Sequence, residues 1–295
     1  MNILLAVDAS TASQAVVDQV AARPWPAGSQ FQVLTVIEDI EPWALGSVAD
    51  EIEACARQSV EVAAKHLLAR GLTATTIVAK GDPKTVILDH AAATQTDLIA
   101  LGASGLGAVE RFLLGSVSRA VLRFAPCSVA LVRPASAAAD AGLKVLLAVD
   151  GSEGSRHATE AIAARPWASG TEIRVFSVVE LGMSALQGAF EIPAFDAAHL
   201  ESQRAAAMKR TEETIDSALK VLQAAGLATS ESISVLAASP KELILQEAAE
   251  WSADWIVLGS HGSSGLSRFL IGSTSETVAT HATCSIEVVR QKPSA

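Results

Sequence analysis

Ile3-Leu4-Leu5-Ala6-Val7-Asp8 returns as Val145-Leu146-Leu147-Ala148-Val149-Asp150, and Ala21-Ala22-Arg23-Pro24-Trp25 returns as Ala163-Ala164-Arg165-Pro166-Trp167, both at an offset of 142 residues. Further along, Gly102, Gly105, Gly115 and Ser116 recur as Gly259, Gly262, Gly272 and Ser273, so the offset has grown to 157 and the second copy is fifteen residues longer. Repetition at a fixed spacing over a chain of 295 residues reads as one domain duplicated in tandem. Most of the extra length falls between Glu180 and the helix that ends before Gly226. Pro134 stops a strand, and Ala135-Ser136-Ala137-Ala138-Ala139-Asp140-Ala141-Gly142 has the composition of a linker. The expected division is therefore a first domain at 1–134, a linker at 135–142 and a second domain at 143–295.

Within the first copy, apolar runs at 2–8, 31–37, 74–79, 97–101 and 127–133 read as strands. Several are nearly continuous, as strands are when both faces of a parallel sheet are covered. Helices fit between them. The first follows Ser10 or Thr11 as N-cap and ends near Pro24; the second runs from about Ala49 to Arg70 and stops at Gly71. A third starts at Pro83, and a fourth opens at Gly115-Ser116 and ends by Pro126. This alternation predicts an α/β chain of two tandem, doubly wound, Rossmann-like domains, each an open five-stranded parallel sheet flanked by helices. In such sheets ligands bind at the carboxyl ends of the strands, where the strand order reverses.

Composition narrows the partners. A formal net charge of −10 disfavours nucleic acid and anionic membrane, which are both bound through a basic face. Half of the residues are apolar, yet no run reaches the roughly 18–20 residues of a membrane helix, and the N-terminus lacks a signal-peptide pattern. A cytoplasmic protein is expected. Cys55, Cys127 and Cys284 form neither a disulfide framework nor a Cys-x-x-Cys pair; the last two occupy matching positions and read as packing residues.

The candidate chemistry lies after the fourth strand of each copy. Gly102-Ala103-Ser104-Gly105, nine residues, then Gly115-Ser116-Val117-Ser118 is matched by Gly259-Ser260-His261-Gly262, nine residues, then Gly272-Ser273-Thr274-Ser275. Glycines here allow positive φ and close approach of a ligand to backbone amides. Gly115-Ser116 opens a helix whose unpaired amides and dipole favour an anion, with the Ser116 and Ser118 hydroxyls as further donors. The bland alternative is that glycine turns the chain and serine caps a helix. Neither the Walker A loop nor the Gly-x-Gly-x-x-Gly fingerprint is present.

With its Gly-x-x-Gly-x9-Gly-Ser loop in both halves, the chain resembles the universal stress protein family in its tandem form, over essentially its whole length. The spacing is that of the family's ATP-binding members. The resemblance implies an adenine nucleotide, ATP with or without magnesium. It implies that Asp8 and Asp150, ending the first strand, contribute to the site, and that the backbones of Val36 and Val178 read the adenine edge. The loop residues Gly102, Gly105, Gly115, Ser116 and Ser118, and Gly259, His261, Gly262, Gly272, Ser273 and Ser275, would take ribose and phosphates. It also implies that 127–133 and 284–290 pair as an intramolecular pseudo-dimer, leaving a homodimer open. Two departures stand out: Gly81-Asp82-Pro83 is matched by Ala238-Ser239-Pro240, and Ser104 stands where the second copy has His261.

Several of these residues also fit plainer roles. Asp8 and Asp150 could bind a ribose hydroxyl or magnesium, or hold the start of the first helix. Arg111 and Arg268 lie at matching places in the long arm of the loop, where they reach a phosphate or simply face solvent. Trp25 and Trp167 read as packing residues, and 183–199 as a lid or a flexible loop. The six histidines lack metal-ligand spacing, and no metal held by protein side chains alone is expected. The leading reading is an ATP-binding regulatory or stress-response protein. A slow ATPase and a nucleotide-free scaffold are the rivals; no carboxylate or histidine recurs in both loops to serve as a base, so at most weak hydrolysis is expected.

Overall fold

The computed structural model of the chain describes residues 1–38, 47–104, 114–134, 142–179, 197–235, 239–262 and 271–291. The first half runs β1 (Asn2–Ala6), α1 (Thr11–Ala22), β2 (Gln30–Ile37), α2 (Ser47–Ala69), β3 (Thr73–Lys80), α3 (Pro83–Ala93), β4 (Leu98–Gly102), α4 (Ser116–Phe124) and β5 (Ser128–Val132). The second repeats it as β6 (Lys144–Ala148), α5 (Glu153–Ala163), β7 (Glu172–Val179), α6 (Ala197–Ala224), β8 (Ala228–Val235), α7 (Pro240–Glu250), β9 (Trp255–Gly259), α8 (Ser273–His281) and β10 (Ser285–Val289). The chain is thus two tandem α/β units of doubly wound type.

Local chemistry sets the boundaries. The Ser10 and Ser152 hydroxyls accept the amides of Ser13 and Ser155, satisfying donors that the first turns of α1 and α5 cannot. Pro83 and Pro240 stand in the first turns of α3 and α7, where a missing N–H costs nothing. Gly71 and Gly226 take left-handed φ of +79° and +76° and end α2 and α6. The first strand is shorter than its apolar run: β1 ends at Ala6, because Asp8 accepts the amide of Ser10 and turns the chain into α1.

All ten strands join in one sheet of order β3-β2-β1-β4-β5-β10-β9-β6-β7-β8, parallel within each half. Helices α1, α2, α5 and α6 cover one face over a core containing Leu5, Val33, Leu147 and Val175. Helices α3, α4, α7 and α8 cover the other over Leu4, Ile99, Leu146 and Ile256. The two halves meet where β5 and β10 pair antiparallel, with Ala130 opposite Glu287. Because the offset between late elements is 157, those two residues are equivalents, and a local pseudo-twofold axis passes between them.

Reciprocal bonds follow that axis. The amide of Arg133 donates to Ser285 Oγ at 3.0 Å and that of Arg290 to Ser128 Oγ at 3.1 Å. The Arg133 guanidinium donates to the Ala279 carbonyl at 3.2 Å, at the end of α8, and Arg290 to the Leu122 carbonyl at 2.6 Å, at the end of α4. Each half therefore supplies a cation to the negative end of the other half's last helix. A further consequence is positional. Antiparallel joining points the carboxyl ends of the two sets of strands to opposite edges of the sheet.

Candidate functional site

In the second half the ends of β6, β7 and β9 and the start of α8 enclose a cleft of about 240 Å³. Its walls include Asp150, Val178, Gly259, His261, Gly262, Gly272, Ser273 and Ser275, the second-half residues that the family resemblance assigns to the site. It adjoins a larger groove of about 760 Å³ between α5 and α6, sharing Asp150, Ser152, Ser155, Ser177 and Val178 with it. Sites for organic ligands commonly fall in the range of about 300–1,000 Å³.

The floor is a helix start without a side-chain cap. Gly272 is the N-cap of α8 (φ −68°, ψ 150°) and Gly115 that of α4 (φ −61°, ψ 158°); among the described residues neither helix has a capping side-chain bond. The caps' own amides are used, Gly272 to the Ser260 carbonyl at 2.7 Å and Gly115 to the Ala103 carbonyl at 2.9 Å. First-turn amides beyond them form the positive end of a helix dipole, the setting in which a phosphate is stabilised. Ser116 and Ser273, both exposed, open these turns.

Ser118 and Ser275 have turned the other way. Each is 5% exposed and donates its hydroxyl to the carbonyl of Gly102 or Gly259 at 2.7 Å. Instead of offering a proton to a ligand, each ties the helix start to the strand end.

The glycines work by close approach, not by positive φ. None of Gly102, Gly259 and Gly262 lies in the left-handed region. A Cβ on Gly259 would fall 2.4 Å from the Gly154 carbonyl carbon, and one on Gly102 would fall 2.9 Å from Ala12 Cβ. The loops are thus pressed onto the starts of α5 and α1. The second half fits more closely because Gly154 replaces Ala12: a Cβ there would fall 2.3 Å from the His261 carbonyl oxygen. On Gly262, a Cβ would lie 2.7 Å from Asp150 Oδ2, so this glycine leaves room for a carboxylate.

Asp8 and Asp150 each accept the amide two residues on, Ser10 at 2.9 Å and Ser152 at 3.0 Å. Asp8 Oδ1 also takes the hydroxyls of Ser10 and, at 2.6 Å, Ser13. Both carboxylates are thereby held at the mouth of the crevice, and the serines rather than the aspartates cap the helices. Val36 and Val178 lie near the ends of β2 and β7 and are half-buried. The carbonyls of Leu34 and Phe176 accept from Val7 and Val149. Backbone direction repeats every two residues, so Val36 and Val178 face the same side, beyond the last residues of β1 and β6. That is the crevice between the first and fourth strands of each half, where the strand order reverses.

Sequence reasoning overlooked Thr35 and Ser177, buried residues whose hydroxyls donate to the Val7 and Val149 carbonyls at 2.7 Å. They hold the two strand ends that form the crevice; a hydroxyl residue at both repeat positions was the available signal. His261 makes a 2.9 Å contact with Ser260 through Nδ1, while its Nε2 is buried without a partner among the described residues. Burial, aided by the Arg290 charge, holds its pKa below the ordinary histidine value. Gly105, Arg111, Arg268, Ala238 and residues 183–196 lie outside the described residues. Among the described residues no three His, Cys, Asp or Glu side chains group as metal ligands, and no helix is long and apolar enough to cross a membrane.

The sequence model of the universal stress protein family matches residues 1–133 and again 143–290. A universal stress protein of Mycolicibacterium smegmatis is 28% identical over 304 residues, covering 99% of this chain and 97% of that one. One of Mycobacterium tuberculosis is 30% identical over 211 residues, covering 67% of this chain and 63% of that one. Among solved structures, a universal stress protein of Archaeoglobus fulgidus superposes with a TM-score of 0.67 at 23% identity, covering 98% of both chains.

Proposed function

Because the chain belongs to the universal stress protein family, we propose that it holds an adenine nucleotide, ATP before others, in the crevice at the carboxyl edge of each half, and that occupancy regulates its conformation or its choice of partner. The observation that carries this reading is the start of α8, uncapped by any described side chain, opening into a cleft walled by the loop's glycines and serines together with His261, Asp150 and Val178. It is the arrangement by which an acidic protein can hold a polyphosphate without a basic surface.

The residues fit such a ligand. A methyl group at Gly262 would intrude on the Asp150 carboxylate, so the cradle depends on the glycine. Asp8 and Asp150 would accept a ribose hydroxyl, and the backbones of Val36 and Val178 would meet the edge of a base. First-turn amides of α4 and α8, with the Ser116 and Ser273 hydroxyls, would receive phosphate oxygens. Magnesium, if bound with the nucleotide, would supply charge neutralisation between the phosphates and the nearby carboxylate. A cytoplasmic location fits this reading.

Denaturing extraction of the purified protein followed by chromatography should release an adenine nucleotide, and calorimetry on stripped protein should show ATP binding. A chain that releases none and binds none would refute the proposal.

A further inference from the structure

Among the described residues a single acidic side chain lies on the pseudo-twofold axis. Glu287 projects from β10 opposite its own equivalent, Ala130 on β5, and is 1% exposed. Two arginines converge on it, and they too are equivalents, Arg23 and Arg165 of the repeated Ala-Ala-Arg-Pro-Trp. Arg165 Nη1 lies 2.6 Å from Glu287 Oε1 and 2.8 Å from Oε2; Arg23 Nη1 lies 3.8 Å from Oε2. The Arg23 guanidinium also sits over the rings of Trp25, Trp167 and Trp255 at 5.2, 4.9 and 4.9 Å. Burial pushes its pKa down to about 10, against the opposing pull of Glu287.

This carboxylate comes to Arg23 from the other half. Two first halves paired through β5 would place Ala130 against Ala130, leaving two buried guanidiniums on the axis with no acid between them. Two second halves paired through β10 would bring two Arg165 but place Glu287 against Glu287, and the axial space, which holds a glutamate opposite an alanine, would be overfilled. Only unlike halves put one acid between two bases. Buried ionic groups contribute little net stability against an apolar alternative, but removing one partner is costly, and this asymmetry is how they select a pairing.

We propose that Glu287 is the pairing key of the chain: the surface presented by β5 accepts the unlike half and refuses a copy of itself, so the tandem chain closes on its own second half. The surface's partner is defined by one carboxylate on the axis, supplied by either strand but not by both.

The full-length chain tests this by thermal unfolding. Glu287→Ala leaves the axis without an acid, as in two paired first halves, and Ala130→Glu gives it two, as in two paired second halves. The exchange variant, Ala130→Glu with Glu287→Ala, returns a single acid to the axis from the opposite strand. Each single change should lower Tm by about 6–10 °C, the effect of stranding buried charge in a chain of this size. Glu287→Gln, which keeps the volume, should also lower it. The exchange variant should recover more than half of the larger single loss, or fold where the single variants do not. A single variant or the Gln variant melting with the parent, or an exchange variant no more stable than the singles, would overturn the proposal.

Discussion

The two glycines of the second loop separate fold from binding, and substituting them one at a time has opposite expected results. At Gly259 an added Cβ would lie 2.4, 2.6 and 2.8 Å from three backbone atoms of Gly154. Backbone cannot swing aside, so α5 must shift from β9; overpacking of this kind costs about 1–3 kcal/mol, and here the upper end is expected. At Gly262 the added Cβ would meet, among the described residues, only the Asp150 carboxylate, with Oδ2 at 2.7 Å, and a carboxylate can rotate. The fold would lose the 3.0 Å bond from the Ser152 amide, about 1 kcal/mol or less. The crevice would lose its carboxylate position and gain a methyl group. Thermal unfolding and ATP calorimetry on both variants check this. Gly259→Ala should lower Tm by about 6 °C or more, while Gly262→Ala should melt within about 3 °C of the parent and bind ATP at least about tenfold more weakly at one site per chain. In the first half Gly102→Ala meets the Ala12 methyl at 2.9 Å. Adding Ala12→Gly removes that nearest contact but leaves the Ser104 carbonyl oxygen at 3.2 Å, so it should relieve only part of the stability loss. Parental ATP affinity in Gly262→Ala, or a parental melting point in Gly259→Ala, would refute the reasoning.

Other consequences are smaller in scale. Ser118→Ala and Ser275→Ala each delete a buried bond to a loop-glycine carbonyl and should cost about 1 kcal/mol in urea unfolding, with additive effects because the two sites are far apart. Arg133→Ala and Arg290→Ala remove reciprocal cations from the last carbonyls of α8 and α4; each should cost about 1–3 kcal/mol, with unfolding curves that remain cooperative. Burial pushes the Cys284 thiol up from 9.0 to about 11, whereas Cys55 is exposed. Its proton is held more tightly in the folded chain, so the associated stability is complete below pH 9 and is lost as pH rises toward 11; thiol alkylation at pH 8 should modify Cys55 well before Cys284. Since the two carboxyl edges point in opposite directions, no one nucleotide can span both sites, and ATP titration of Gly262→Ala should leave the first-half isotherm unchanged.

What the sequence made legible were features governed by neighbours in the chain. Alternating apolar runs, Ser10 or Thr11 as a cap, Pro83 in a first turn and Gly71 as a stop each act within a few residues; Ser10, Pro83 and Gly71 stand where local chemistry puts them, and Ser152, Pro240 and Gly226 repeat them in the second half. Repetition at offsets of 142 and 157 then gave the two-unit architecture. The roles of the loop residues were less legible because distant contacts set them. Gly102 and Gly259 look like residues chosen for positive φ, yet what requires them is the approach of Ala12 and Gly154 from another element. Ser118 and Ser275 resemble ligand donors in a pattern of letters, and only the fold reveals that the Gly102 and Gly259 carbonyls lie within reach. Glu287 was still harder to read. A lone acid in Ser-Ile-Glu-Val-Val has the alternation of a solvent-facing edge position, and its burial depends on β5 lying alongside.

Duplication and asymmetry bear on one another here. The two halves repeat every described element, but they differ at positions on or against the loop, Ala12 against Gly154 and Ser104 against His261, and at the axis, Ala130 against Glu287. Two separate identical chains meeting about a true twofold could not hold different residues at equivalent places, whereas a single chain can. Joining the copies therefore allows one crevice to be tighter than the other and allows one acid to serve two arginines. The differences in the crevice act on whatever each site binds, and the difference on the axis acts on which surfaces meet.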